Sequence, residues 1–598
     1  MLFRSGPRKL IWEHGALTSA DYCFPMKVKA YDSEDNLAPA LTAITISLID
    51  SSASATFYSL ADTDCSGAPI TSATIPFGGD NVQFRFRDSV AETVNITATD
   101  AAAVLIAGTS SLVVGPNKLS IIGSNPIRSG DCNAYSVSPI DALNNPTVAR
   151  QNYTLNLSDL TASGNFYASS DTSCSGAVIS SINLLNGSSN ANFRYKDDKA
   201  ETISLNVDET TATLTSASMP VVVGPRHLDL SGTAQILSGN CVSFTIKTKD
   251  ILGNFANTAL AHTINLTDTT PEGVFYSDSA CTSAITSKAI AANVASSVIY
   301  YKNSKQQNAT ISTAASSGEL TLASLALTIG PYKLTVAGNT ETRAGDCELF
   351  TLTTQDALNN VGPVLASTII NLTDGVASGS FYAADDTTCS AATISSVTVP
   401  AGASTISYRY KNDTAESSIL ASSDGVGTGL QDVNQSLSVG PRKIALTVLS
   451  SMASGVCTPV TVKTQDVNSS DKGAIRATTV NLDDGAAMGA FYSDSACTAV
   501  VTSTALAIGS SSGTVYYKNN KAEIITLSAA DNASWLVAAA ANTQTGPQQI
   551  ILTGTTPILA GKCSAYTATT KDAANNAAGV LSATTLTLGK GSSTTAMF

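Results

Sequence analysis

The chain has 598 residues, a formal net charge of −13, and only 13% charged residues. A single hydrophobic core is excluded, because cores stop growing near ~250–300 residues. The acidic balance excludes nucleic acid and anionic membrane as partners, since both are bound through basic surfaces. No apolar run of about 18 residues could cross a membrane as a helix.

The opening Met1–Leu10 carries basic residues but no apolar stretch after them, so it is not a secretion signal. Within it begins the first element of a repeat: Gly6-Pro7-Arg8-Lys9-Leu10, a Gly-Pro pair followed by a short apolar strand. The same pair returns at Gly115-Pro116, Gly224-Pro225, Gly330-Pro331, Gly440-Pro441 and Gly546-Pro547, at steps of 109, 109, 106, 110 and 106 residues. This predicts five copies of one module, at 6–114, 115–223, 224–329, 330–439 and 440–545, with a truncated sixth at 546–598.

Next in each copy comes a strand of alternating apolar and polar residues, such as Ile44–Leu48, Thr154–Leu157 or Thr263–Asp268, which buries one face. A turn of the form Asp-x-x-Asn/Gly-Asn precedes it in most copies, as at Asp141–Asn145, Asp250–Asn254, Asp356–Asn360 and Asp572–Asn576. A Phe-Tyr pair follows at Phe57, Phe166, Phe275, Phe381 and Phe491. Then comes an aromatic-basic strand, as in Phe84–Arg87, Phe193–Lys196, Tyr300–Lys302, Tyr408–Lys411 and Tyr516–Lys518. The recurring aromatics are expected in the core or in cross-strand packing, with the basic residue on the solvated side. An apolar strand such as Val221–Val223 closes the copy, and the next Gly-Pro follows without a spacer. About seven short strands with no helical segment is the pattern of an immunoglobulin-like β-sandwich. The spacer-free joints, with φ fixed by proline, predict a semi-rigid rod, about 170 Å long for five modules.

The eleven cysteines keep the same phase. They form the pairs Cys23–Cys65, Cys132–Cys174, Cys241–Cys281, Cys347–Cys389 and Cys457–Cys497, with Cys563 left over. One disulfide per module is expected, and therefore an oxidising compartment; the alternative is two buried thiols per module. Cys563 lacks its partner, and Ala596-Met597-Phe598 aligns with the start of the next Phe-Tyr pair. The chain is thus expected to be a piece of a longer polypeptide, with any export signal upstream.

A site used by every module must recur in every module. His14, His227 and His262 do not share a position, so no catalytic triad is common to the copies, and each is expected to be a surface or turn residue. No phosphate loop or metalloprotease motif is present. No catalytic, cofactor-binding or metal residue is assigned, and no enzyme is expected. The remaining cofactor candidate is Ca²⁺, held by acids clustered before the second cysteine (Asp62, Asp64, Asp171, Asp278, Asp385, Asp386, Asp494) or by the Asp-x-x-Asn/Gly-Asn turns. Against it, Asp and Asn are also ordinary turn residues.

Asp250-Ile251-Leu252-Gly253-Asn254 resembles the Asp-x-x-Gly-Asn turn of bacterial Ig-like domains of the invasin and intimin type. Phe275–Cys281, followed by Tyr300-Tyr301-Lys302-Asn303, is similar to cysteine-containing Ig-like repeats of very large secreted bacterial proteins. The resemblance implies a cell-surface or secreted setting and a non-catalytic stalk or adhesin segment that projects a binding region. It implies a host, neighbouring-cell or matrix protein or glycan as partner of such a region. A multivalent binding array, or an accessory segment of an exported enzyme, are the alternatives.

Overall fold

The computed structural model describes residues 6–425, 427 and 429–589. All regular structure among them is β-strand. Ala596-Met597-Phe598 lies outside the described residues.

The second repeat shows how the module is built. Its strands are β1 (Lys118–Gly123), β2 (Ile127–Arg128), β3 (Asn133–Ile140), β4 (Tyr153–Ser158), β5 (Gly164–Ala168), β6 (Val178–Ile179), β7 (Ser181–Leu184), β8 (Ala191–Asp197), β9 (Thr202–Glu209) and β10 (Ala217–Gly224). They form two five-stranded sheets, β1-β3-β8-β5-β6 and β2-β10-β9-β4-β7. The pairs are antiparallel except β2 on β10, which is parallel, with Ile127 opposite Val223. The first strand is thus split, β1 joining one sheet and β2 the other. The chain crosses between sheets again after Ile179, which faces Phe166, because Leu184 of the next strand faces Tyr153. Two antiparallel sheets sharing a split first strand that runs parallel to the last strand make an immunoglobulin-like sandwich.

The array is immunoglobulin-like. The same strand order recurs in the first, third, fourth and fifth repeats, with one of the shortest strands missing from the first and the fourth, and the described part of the sixth has one two-stranded sheet. Ten strands form where about seven were expected, because strand segments of two to four residues leave too little alternation to be seen in sequence.

Alternation drives the folding of each strand. β8 buries Ala191, Phe193, Tyr195 and Asp197 and turns the residues between them outward. The core between the sheets holds Leu155, Phe193, Tyr195, Leu205, Val207 and Val221, all without exposed surface. Phe166 packs on Phe193 and Tyr195 at centroid distances of 5.6 and 5.1 Å. Each such aromatic removes roughly 150–250 Å² from water, the largest single contributions to a domain of this size.

The chain packs as two compact units. One comprises the residues up to Ala234 with Cys241–Tyr301 and Ala309–Leu327; the other comprises Gln235–Asn240, Lys302–Asn308 and the residues from Thr328 onward.

Each disulfide connects the entry to β3, or to its counterpart, with a loop at the edge of the same sheet. Cys132 precedes β3 and Cys174 sits in the loop between β5 and β6, with the sulfurs 1.98 Å apart. The bridges at Cys23–Cys65, Cys241–Cys281, Cys347–Cys389 and Cys457–Cys497 close loops of the same kind, and Cys563 is free and exposed. They fasten a long loop to one sheet, whereas the antibody-type bridge spans the core.

Candidate functional site

The three histidines stay apart. His14 lies within hydrogen-bonding distance of the Gly15 carbonyl and Ser110 Oγ, at 2.6 and 2.9 Å. The expectation of a surface or turn position needs correcting for His262, while His227 lies on the outer face of its strand. His227 and His262 each begin a strand, and the side chain of His262 is only 10% exposed, with Glu319 at 3.6 Å. The strand alternation turns that ring inward. Ser110 is beside the His14 ring, but the other ring nitrogen meets the Gly15 carbonyl and not a carboxylate, so the arrangement of a catalytic triad is not formed there.

The recurring polar chemistry is buried instead. Tyr195 donates its hydroxyl proton to Asp159 Oδ2 at 2.7 Å, beneath β8. The bond repeats as Tyr301 to Asp268 at 2.6 Å, Tyr410 to Asp374 at 2.9 Å and Tyr517 to Asp484 at 2.7 Å. Burial pushes the hydroxyls of Tyr195, Tyr410 and Tyr517 far up, and the facing carboxylates add to the shift. Tyr195, Tyr410 and Tyr517 are thereby held as protonated donors.

In sequence, Asp159, Asp374 and Asp484 carry no recognisable role, and Asp268 only ends an alternating strand. Each ends or follows the alternating strand, and its role depends on a tyrosine 33 or 36 positions later. The available signal was covariation among the repeats. Gly164, Gly273, Gly379 and Gly489 occur together with the tyrosines, whose hydroxyls lie against them, whereas the first repeat has Ala55 together with Phe86. There the hydroxyl is missing; Asp50 stands at the position of Asp159, and Asp88, at the position of Asp197 (which Tyr195 also reaches, at 3.3 Å), has its Oδ2 buried without a hydrogen-bond partner.

The acids before the second cysteine are engaged by the backbone. Asp278 accepts N–H bonds from Ala280 (3.1 Å), Thr282 (3.2 Å) and Ser283 (2.7 Å). Asp171, Asp386 and Asp494 do the same in their loops, and the donors Gly176, Ser283, Ala391 and Ala499 lead in holding the four carboxyls below their ordinary range. Among the described residues no group of three or more His, Cys, Asp or Glu side chains could hold a metal.

The Asp-x-x-Asn/Gly-Asn turns have a second role. Asp250 Oδ1 accepts the Asn254 N–H at 2.9 Å and so closes its own turn. Its Oδ2 accepts from the Ala200 N–H at 3.4 Å, in the preceding domain. Beside it, the Ile251 N–H donates to Ser129 Oγ at 3.1 Å. The corresponding bond runs from Ala573 to Ser454 at 2.8 Å, with Asp572 accepting from Ala522 at 3.2 Å. Gly130, at φ +77°, forms the receiving surface, where a Cβ would stand 2.7 Å from Ile251 Cδ1. The turn is therefore both a reversal of its own chain and a peg in its neighbour.

Two concavities are notable among the described residues. One, of about 420 Å³, is an open cleft on the second domain lined by Gly123, Tyr135, Ser169, Phe193 and Arg194. The other, of about 140 Å³, lies beside Pro225 and is lined by Arg128, His262 and Glu319. Neither brings together the groups of a recognisable catalytic site.

No family model and no curated relative matches this sequence. The chain is similar to several solved structures. One is the Escherichia coli adhesin FdeC, at 14% identity and TM-score 0.31, over 54% of this chain and 96% of that one. Another is invasin, described as a bacterial integrin-binding protein, at 11% identity and TM-score 0.31, over 75% of this chain and 82% of that one. A third is Escherichia coli alpha-2-macroglobulin, at 10% identity and TM-score 0.18, over 92% of this chain and 54% of that one.

Proposed function

We propose that this array is a non-catalytic spacer of a bacterial surface or secreted protein, projecting a binding region away from the cell. One observation carries the reading: the polar residues that recur in register are used within the array. The tyrosine–aspartate pairs lie in the cores. The loop aspartates bind their own backbone. The turn aspartates bind the neighbouring domain. The basic residue that recurs on the outward side is paired within its own domain at Arg87 with Asp21, Lys196 with Asp198 and Lys411 with Asp413. The disulfides support an oxidising, extracytoplasmic location. The partner of the projected region would be a host, neighbouring-cell or matrix protein or glycan, as the resemblance of the Asp250–Asn254 turn implies.

Two measurements test this. Protease treatment of intact producing cells should remove the chain; full protection would overturn the location. The purified chain, applied to glycan arrays and matrix proteins, should show no saturable binding; binding that scales with the number of domains would replace the spacer with a multivalent binder.

A further inference from the structure

The residue after Gly-Pro alternates along the chain: Arg8, Asn117, Arg226, Tyr332, Arg442, Gln548. Arg226 and Arg442 open the third and fifth domains. The domains before them, and among the described repeats only those, carry an Arg-x-x-Asp in the split first strand: Arg128–Asp131 in the second and Arg343–Asp346 in the fourth. The structure brings these two sequence features together.

Arg128 Nε donates to Asp131 Oδ2 at 2.8 Å, and Arg226 Nη1 donates to Asp131 Oδ1. Arg128 also reaches the third domain, where its Nη1 donates to the Glu319 carbonyl. In the second unit the arrangement repeats. Arg343 Nε donates to Asp346 Oδ2 at 2.8 Å, Arg442 Nη1 donates to Asp346 Oδ1, and Arg343 Nη1 donates to the Trp535 carbonyl at 2.7 Å. Here the Trp535 ring also lies under Arg476, at 4.0 Å from its guanidinium carbon. Between the first and second domains the equivalent positions are Ser19, Tyr22 and Asn117, and between the fifth and sixth they are Ala453, Val456 and Gln548. None of these carries a charge.

We infer that the working element of the array is a pair of domains, locked by a shared-aspartate ionic clasp, and that a joint without the clasp, such as that between the first and second domains, is the one that bends. An isolated exposed ion pair would not hold a joint. This one is a network: one half-buried carboxylate holds two guanidiniums from different domains, and one of those is also fixed to a backbone carbonyl in the far domain. Removing the aspartate leaves two arginines facing each other unpaired. The inference goes beyond the spacer reading and stands whether or not the array carries a binding region.

The test uses the full chain in a C563S background, with pairs of spin labels spanning one joint at a time and distance distributions read by pulsed electron resonance. Across the joint of the second and third domains the distribution should be at least twofold narrower than across the joint of the first and second. D131N should widen it at least twofold, and so should R226Q. The double variant should be no broader than either single one, because all three break the same network. Raising the salt to about 0.5 M should widen the clasped joint and leave the unclasped one unchanged. Unchanged thermal unfolding of both variants would show that the domains themselves remain folded. Equal widths at the two joints in the parent protein, or a D131N distribution identical to the parent's, would overturn the inference.

Discussion

Gly164 and Tyr195 exclude any side chain between them: a Cβ on Gly164 would stand 2.1 Å from the Tyr195 hydroxyl oxygen and 1.9 Å from Asp159 Oδ2. The glycine makes room for the buried hydrogen bond, and the repeats that have the tyrosine have the glycine. Gly164→Ala should therefore destabilise the second domain by about 2 kcal/mol or more, since the methyl displaces a buried bond to a charged group. Tyr195→Phe should cost about 1–3 kcal/mol by leaving Asp159 without that donor. The two changes together should cost less than the sum of the separate effects. Chemical denaturation of the full chain, followed by hydrogen exchange in β8, measures all three.

The first domain supplies the converse. Phe86 and Ala55 stand where the other repeats have tyrosine and glycine, and Asp88 Oδ2 lacks a partner. Phe86→Tyr alone should lower stability, because the new hydroxyl meets the Ala55 methyl. Phe86→Tyr with Ala55→Gly should raise it by about 1 kcal/mol, a new charge-assisted bond of about 1.5–3 kcal/mol offset by the backbone entropy of glycine, about 0.5–1 kcal/mol. A double variant no more stable than F86Y would contradict this geometry.

Asp88 and Asp197 are buried, and burial leads in raising both carboxyls above their ordinary range. A raised folded-state pKa makes the ionised form costly. The cost is absent below the unfolded value near ~3.9, grows as pH climbs to the folded value, and persists at neutrality. The later repeats have Asn303, Asn412 and Asn519 at this position. Asp197→Asn should therefore raise the midpoint of the second domain at pH 7 and leave it unchanged at pH 3. A gain of about 1 kcal/mol corresponds to about 4–8 °C for a domain of this size. An equal shift at both pH values would show that charge is not the cause.

Asp171, Asp278, Asp386 and Asp494 behave in the opposite sense. Backbone N–H groups hold their carboxyls low, so their contribution is complete above the unfolded value near ~3.9 and is lost as pH falls through the folded value. Their loops should open below about pH 4, seen as faster exchange of the Gly176, Ser283, Ala391 and Ala499 amides. With the carboxylates already engaged, EDTA should leave the melting curve unshifted. A downward shift restored by Ca²⁺ would show that these loops bind the ion.

Mass spectrometry without reductant should find five bridges within domains and one free thiol at Cys563. Replacing Cys132 and Cys174 by alanine releases a 42-residue loop and should cost up to about 4 kcal/mol in the chain-entropy picture. A bridge between domains would contradict the arrangement within each sandwich.

The sequence by itself determined the repeat, the β class and the phase of its parts. Gly-Pro pairs, alternating strands and cysteines at 40 or 42 residues are local or periodic, and a periodic signal needs no knowledge of what touches what. The tertiary structure alone decided what the recurring polar residues do. Asp159 meets Tyr195 across 36 residues, and Asp131 meets Arg226 across 95. Local pattern shows only that an aspartate suits a turn. Whether its second oxygen points to water, into a core or at the next domain is set by the packing of two sheets and by the side chains that packing brings within 3 Å.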